Sequence, residues 1–242
     1  MIARRRGAMT GGIPPGRSRG RLADEVYDTL LGQMMSLRIE PDSRVTIDAL
    51  ARELGVSQTP IRDALNRMEA EGLVVRVPHA GYRIPPQITR HRFEDMLEVR
   101  LLLEPAAARR SAERASLQQV AGLRRLLEEM AELEEGGGLM AYGAFGLRDA
   151  AFHDLVALSA ENQVIREALA RLHTHVHLFR LLHDTQVTLL AMAEHEEVLT
   201  AIAARDPDAA AYAMRRHILR SGERFRRLFD EAKGADGMVA EA

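Results

Sequence analysis

The feature that most constrains the fold is a helix–turn–helix pattern that begins at Thr46 and ends near Glu71. Thr46 can cap a short helix, and Gly55 ends it because glycine tolerates the left-handed conformation. The apolar positions of this helix follow the helical period: Ile47, Leu50, Ala51 and Leu54. Ser57 can cap a second helix, and Pro60 falls in its first turn, where proline costs no hydrogen bond. The chain is therefore expected to form two short helices in succession.

The second helix of this pattern carries polar side chains on the face opposite its apolar residues. The outward positions are Gln58, Thr59, Arg62, Asn66 and Arg67. Amide and guanidinium groups pair with base edges in the major groove, while hydroxyls at a helix start, such as that of Ser57, bind phosphate. The pattern indicates a helix that contacts double-stranded DNA. A helical hairpin without a nucleic-acid role is the alternative.

Two short apolar runs after this helix predict a two-stranded β-hairpin over residues 73–77 and 82–84, joined by a four-residue turn. The tip of such a hairpin commonly lies against the minor groove or the backbone of DNA. His79 and Gly81 in the turn are therefore candidate DNA contacts. With the two helices and a preceding helix over about 22–37, the hairpin predicts a winged helix-turn-helix.

Composition narrows the class of protein. The length of 242 residues suits two ordinary domains, and the absence of cysteine excludes disulfides and thiolate metal sites. No apolar stretch is long enough to cross a bilayer, so we expect a cytoplasmic protein without a membrane partner. Residues 1–85 carry a net charge of +3 and residues 86–242 a net charge of −5. This mild bias favours a nucleic-acid partner for the first part.

Five segments are expected along the chain. They are a flexible basic tail (1–21), the winged helix-turn-helix domain (22–85), a proline-stiffened linker (86–89), an all-α domain (90–233) and a flexible tail (234–242). Helical periodicity, caps and breaks in the all-α domain predict helices over 89–115, 116–135, 140–159, 162–184, 188–204 and 206–233. The expected fold class is mainly α, with a C-terminal bundle of six or so antiparallel helices.

Eight of the nine histidines lie in the all-α domain, and three of them can converge with a carboxylate. Asp149 and His153 are four residues apart and point to the same side of one helix. His195 and His217 lie on the last two helices. Three neutral imidazoles and a carboxylate would hold zinc, nickel or manganese, and an open coordination position would accept an oxygen of a small acid.

Each part of this set also has an ordinary explanation. An aspartate and a histidine at helical spacing often form a surface or capping pair, and single helical histidines usually lie satisfied in a core. A second pair at ligand spacing, His173 and His177, lies in a denser cluster with His175 and His183, but it has no partner carboxylate. We expect that cluster to form a polar helix face or to line a pocket.

Several motifs along the chain match one family in order and spacing. They are Gly55-Val-Ser-Gln-Thr-Pro-Ile-Arg-Asp-Ala-Leu65, Glu69-Ala-Glu-Gly-Leu73, Arg100-x-x-x-Glu104, Asp149-x-x-Phe-His153, Asn162, His195 and Asp206-x-x-Ala209 with His217. Over about residues 22–232 the chain resembles the GntR family of bacterial transcription regulators, in its FadR-type subgroup with an FCD effector-binding domain.

The resemblance implies a metal set and an effector beside it. The implied metal ligands are Asp149, His153, His195 and His217. A small carboxylate effector would bind next to the metal, and Arg100 could pair with it, although a helix ion pair between Arg100 and Glu104 is nearly as well supported. Asn162 is expected to orient the effector or a metal-bound water, and its alternative role is an N-cap.

Two positions depart from the family pattern. Gln58 stands where many members carry arginine, and Asp48 stands where some carry an arginine that contacts DNA. We therefore expect an adenine-type contact from Gln58 in place of a guanine-type one. Arg62 is the main candidate for a DNA contact.

The expected function is that of a homodimeric, ligand-responsive transcription regulator without enzymatic activity. Two modules would bind a near-palindromic operator, and a small organic acid bound beside the metal would release the repressor. A regulator that senses the metal itself is one alternative. A metal-dependent hydrolase with a DNA-binding appendage is another, but it lacks an obvious general base.

Overall fold

The computed structural model describes residues 19–136, 138–181 and 185–239. Most of the predicted basic tail over 1–21 lies outside the described residues, as do residues 240–242 at the other end of the chain. No helix in the described ranges is long and apolar enough to cross a membrane.

The chain falls into two units. The described residues up to Leu30 form the first unit together with Ile39–Pro86. Leu31–Arg38 form the second unit together with the described residues from Gln87 onward.

The first unit contains the helix–turn–helix and its wing. Its elements are α1 (Arg19–Met35, with its last residues in the second unit), β1 (Arg44–Val45), α2 (Ile47–Leu54), α3 (Gln58–Ala70), β2 (Val75–Val77) and β3 (Gly81–Arg83). The three strands form one antiparallel sheet in the order β1-β3-β2. The predicted hairpin is confirmed, and β1 adds a third strand that the sequence pattern did not predict. The added strand β1 is two residues long, too short to leave an alternating pattern in the sequence.

Local signals form the two helices of the motif as predicted. The side chain of Thr46 accepts a hydrogen bond from the Ala49 backbone N–H, and Gly55 ends α2 with a φ of 68°. Helix α3 buries one face: Pro60, Ile61, Ala64, Leu65 and Met68. Burial of this face leaves the opposite face of α3 at the surface of the unit.

The second unit is a bundle of helices. They are α4 (Arg90–Arg114), α5 (Leu117–Gly136), α6 (Leu139–Ser159), α7 (Gln163–Ala170), α8 (Thr174–Phe179), α9 (Thr185–Ala203) and α10 (Pro207–Val239). Helix α4 packs against α6, α9 and α10, and α5 packs against α6 and α9. The predicted fold class, a winged helix-turn-helix followed by an all-α bundle, is confirmed.

The largest differences from the predicted helices lie at two places. The single helix expected over 162–184 is interrupted, because the chain turns after α7 and His173 takes a left-handed φ of 46° before α8 begins. The last helix was expected to end near Lys233, before a flexible tail over 234–242, but α10 continues to Val239. Gly234 and Gly237 cost about 1 kcal/mol each in a helix, which lowers its stability without breaking it.

Candidate metal centre and DNA-binding surface

Five buried or nearly buried side chains meet inside the second unit. His153, His195 and His217 form one group of possible ligands, and Asp149, His153 and His175 form another. The ligand atoms within each group lie within 4.8 Å of one another. Helices α6, α8, α9 and α10 supply these residues, so packing of the bundle assembles the site.

Within this cluster, imidazole nitrogens and carboxylate oxygens lie close to one another. His153 Nε2 lies 3.2 Å from His195 Nε2. The two oxygens of Asp149 each lie 3.3 Å from an imidazole, Oδ1 from His195 Nε2 and Oδ2 from His175 Nε2. The structure thus brings together the four residues proposed from the sequence and adds His175.

Carboxylates hold the far sides of two of these imidazoles. Glu104 Oε2 lies 2.6 Å from His153 Nδ1, and Glu194 Oε2 lies 2.9 Å from His217 Nδ1. Metal-binding histidines commonly donate their second ring N–H to a carboxylate, which orients the ring and leaves the other nitrogen to bind the metal. The sequence analysis did not assign this role to Glu104, and it missed Glu194, although Glu194 directly precedes His195.

Burial keeps three of the imidazoles, those of His175, His195 and His217, neutral near pH 7. Desolvation is the main cause that lowers the pKa of His175 and His195 well below the ordinary value and the pKa of His217 to about 4. Neutral imidazole is the form that binds metal. The three rings can therefore act as ligands without first losing a proton.

The carboxylates differ in their electrostatic environment. Burial raises the pKa of Asp149 to about 6, with partial opposition from His153 and Arg100. Burial acts in the same direction on Glu104, but Arg100 and His153 outweigh it and hold the pKa of Glu104 well below its ordinary value. Glu194 behaves likewise, since bonds from Arg224 and His217 overcome its desolvation and lower its pKa to about 2.

The residues fit a divalent cation. Asp149 Oδ1, His175 Nε2 and His195 Nδ1 are buried atoms without a hydrogen-bond partner among the described residues. Buried polar atoms in this condition cost free energy, and Asp149 Oδ1 and His175 Nε2 both point into the cluster. One carboxylate with several imidazoles is a donor set that suits zinc, nickel or manganese.

A cavity adjoins the cluster. Its polar lining includes Arg100, Asp149, His175, His217 and Arg224. Arg100 is 2% exposed and its Nε lies 2.5 Å from Glu104 Oε1. Arg100 thus pairs with Glu104 and lines the cavity, while its contact with an effector stays a prediction.

Asn162 was expected at the effector site, but it does not line this cavity. Its side-chain oxygen accepts the Ile165 N–H at 3.1 Å and caps α7. Arg224 does line the cavity and was missed. Its position seven residues after His217 on α10 places both side chains on one helix face, which is a signal that the sequence carries.

The exposed face of α3 presents the first group of DNA candidates. Arg62 is exposed and forms no ion pair with any described residue. Gln58 is exposed, and its Nε2 lies 2.5 Å from Asp48 Oδ1. Ser57 is the exposed N-cap of α3 without a side-chain capping bond, and Thr59 is half-buried beside it. These side chains lie around the start of α3, where a helix entering the major groove meets bases and phosphates.

Two other candidates on α3 are tied to protein groups. Arg67 forms ion pairs with Glu71 at 3.0 Å and Asp24 at 3.4 Å, and its guanidinium lies 3.9 Å from the centre of the Tyr27 ring. Asn66 Oδ1 accepts bonds from Arg76 at 2.7 Å and from the Tyr82 hydroxyl at 3.1 Å. Both residues thus have a structural role within the first unit.

The wing turn holds the remaining two candidates. His79 is exposed and has a φ of 60°. Gly81 has a φ of 85°, and a Cβ there would lie 2.5 Å from the backbone oxygen of Val45. The close approach of β1 therefore requires glycine at this position, whatever its contact with DNA.

Comparison with known proteins decides the family. The model for bacterial regulatory proteins of the gntR family matches residues 22–84, and the FCD domain model matches residues 95–220. The chain belongs to the GntR family. This GntR protein is a DNA-binding transcription regulator with an FCD effector domain, and the FadR-type resemblance of its motifs is confirmed.

Curated relatives are similar to this GntR protein over most of their length. The probable D-xylose utilization operon transcriptional repressor of Paenarthrobacter nicotinovorans is 28% identical over 202 residues, which are 83% of this chain and 87% of that protein. The galactonate operon transcriptional repressor of Escherichia coli (strain K12) is 26% identical over 227 residues, which are 85% and 97%. Among solved structures, E. coli McbR/YncC has the same fold, with a TM-score of 0.69 and 19% identity over 86% of this chain and 98% of that chain.

Proposed function

We propose that this regulator is a homodimeric repressor that a small carboxylate, bound beside a divalent metal, releases from a near-palindromic operator. The metal ligands in this proposal are Asp149, His153, His195 and His217, with His175 within reach of the same ion. The metal would supply a positive charge and open coordination positions to which a carboxylate oxygen can bind.

The observation that carries the metal proposal is the orientation of the imidazoles. Glu104 and Glu194 occupy the Nδ1 atoms of His153 and His217. Their Nε2 atoms are thereby left as the available lone pairs, and His153 Nε2 already lies 3.2 Å from the Nε2 of His195. Side chains in a polar helix face would not need two buried carboxylates to fix their tautomers.

The carboxylate effector is supported by the cavity beside the cluster. The buried guanidinium group of Arg100 and the partly buried one of Arg224 line it together with Asp149 and His217. Arginine binds carboxylates through paired N–H groups, so an acid bound to the metal would meet donors on its other oxygen. Asn162 has no part in this proposal, since its oxygen caps α7.

The operator contact is assigned first to Arg62. Its guanidinium is exposed on the outer face of α3 and forms no ion pair with a residue that the structure describes, whereas Arg67 and Asn66 already bind protein groups. Gln58, Thr59, Ser57, His79 and Gly81 form the rest of the proposed surface. Two copies of one small DNA-binding domain match an operator with two-fold symmetry, which is the reason for proposing a dimer.

Repression is the direction that the relatives favour. Two regulators similar to this chain are named as repressors of operons, one for D-xylose utilization and one for galactonate. By linkage, an effector that binds the DNA-free form more tightly must weaken operator binding by the same factor.

The pairing of the acids near the cluster disfavours a hydrolase. Glu104 is bound by Arg100 and His153, and Glu194 is bound by Arg224 and His217. Neither is free to accept a proton from a metal-bound water. We therefore propose a binding role and not a catalytic one for the metal.

The test is operator binding under four conditions: metal-free and metal-loaded protein, each with and without acid. A duplex selected from a random library serves as the operator, and fluorescence anisotropy reports binding. The proposal requires that acid weakens binding only when metal is present. A change caused by metal alone would identify a metal sensor instead.

A further inference from the structure

We infer that the cavity beside the metal site selects a singly charged carboxylate with an apolar body over dicarboxylates and polyhydroxylated acids. The inference rests on the proposed function, because it assigns the chemical class of the effector at that same site. It follows from the charges and the lining of the cavity.

Each arginine of the cavity already has a carboxylate partner. Arg100 Nε lies 2.5 Å from Glu104 Oε1 in a pair that is buried on both sides. Arg224 binds both oxygens of Glu194, at 2.8 Å and 2.9 Å. The two pairs therefore orient donors toward the cavity without adding net charge.

The remaining charges are those of the metal and its acid ligand. A divalent ion adds two positive charges and Asp149 removes one, while imidazole is a neutral ligand when it binds a metal. The site then carries a net charge of about +1, and one carboxylate neutralises it. A second carboxylate would bring an unbalanced negative charge into a buried space that also holds Glu104 and Glu194.

The rest of the wall is mostly apolar. Its apolar and aromatic residues are Tyr142, Phe145, Leu178, Phe179, Ala191 and Phe225. The hydroxyl of Thr188 also lines the cavity, but it donates to Glu134 at 2.6 Å. Ser221 can match one further polar group. An acid with several hydroxyls would lose its hydration without gaining enough partners, whereas an alkyl chain gains by burial.

The experiment compares three acids of four carbons each: butanoate, succinate and threonate (2,3,4-trihydroxybutanoate). Isothermal titration of full-length, zinc-loaded protein measures each affinity. We expect butanoate to bind about tenfold or more tightly than either of the others, given the Coulomb and desolvation costs at a buried site. Equal or tighter binding of succinate or threonate would overturn the inference.

A charge variant provides a second, independent measurement. Glu194→Gln keeps the size of the side chain and removes one negative charge beside the cavity, so that the charge of Arg224 is no longer balanced. It should shift the ratio of succinate to butanoate affinity about tenfold toward succinate. Glu196→Gln is the matched control, since it makes the same change on the exposed side of α9 and should leave the ratio unaltered. An unchanged ratio in Glu194→Gln contradicts the charge argument.

Measurements on metal-free protein separate the proposed function, a metal-linked acid site, from the inferred preference among acids. Loss of binding of all three acids after chelation supports the metal-linked site, and the order of affinities then decides the inference alone. If the metal-loaded protein binds none of the three acids, or binds them equally well without metal, the proposed function fails and the inference fails with it.

Discussion

Glu104 is the position at which the account can be tested with a single isosteric change. Its carboxylate is 5% exposed and holds Arg100 on one side and His153 Nδ1, at 2.6 Å, on the other. Glu104→Gln retains one oxygen acceptor but removes the charge. Removal of one partner from a buried ion pair costs about 3–5 kcal/mol, and the retained acceptor favours the lower end, near 3 kcal/mol.

The same change should weaken metal binding. Outer carboxylates that orient metal-binding histidines contribute a factor of about 10–100 in metal affinity. Glu98→Gln is the control, because Glu98 is exposed on the same helix, α4. Urea unfolding measures the stability, and competition with a chromogenic chelator measures the zinc affinity. If Glu104→Gln binds zinc as tightly as Glu98→Gln does, His153 is not a metal ligand oriented by Glu104.

Three substitutions and a change of pH test separate parts of the molecule. His195→Ala should lower metal content and acid affinity together, and full metal occupancy by elemental analysis would refute the ligand assignment. Arg62→Ala should weaken binding to the selected duplex by about 10- to 100-fold with the fold retained, and an unaltered anisotropy titration would exclude a base contact from this residue. Gly81→Ala should destabilise the first unit by about 1–3 kcal/mol because of its φ of 85° and the nearby Val45 oxygen, as thermal unfolding would show. The metal-free protein should lose stability as pH falls from about 6.5 to 4, because the depressed pKa of His217 lets the unfolded chain take up a proton first. That loss reaches about 3 kcal/mol for His217 alone, and the raised pKa of Asp149 returns about 2 kcal/mol of it. The lowered pKa values of His175 and His195 add to the loss, so urea midpoints that do not fall with pH would contradict this prediction.

Elements with strong local signals could be predicted from the sequence. The cap at Thr46, the left-handed Gly55 and the buried face of α3 were all found where the pattern placed them. Each of these features depends on neighbours within a few residues, so the local sequence is enough to predict it. The common side of Asp149 and His153 could also be predicted locally, because the two residues lie four apart, about one turn, on α6.

The rest of the site depends on contacts between distant helices. The break at His173, where a non-glycine residue takes a left-handed φ, has no marker in the sequence, and it is this break that brings His175 to Asp149. The pair between Glu194 and Arg224 joins residues 30 apart, and its existence depends on how α9 packs against α10. Helical periodicity gives the face of each helix but not the face that it meets.

The central claim is that this GntR regulator couples a metal-bound organic acid to release from DNA. The most direct measurement is the affinity of zinc-loaded protein for its selected duplex, by fluorescence anisotropy at fixed salt, with and without butanoate. The account predicts weaker DNA binding with the acid, and no effect of the acid on metal-free protein or on His195→Ala. DNA affinity that the acid leaves unaltered in the zinc-loaded protein, under conditions where calorimetry shows the acid bound, would contradict it.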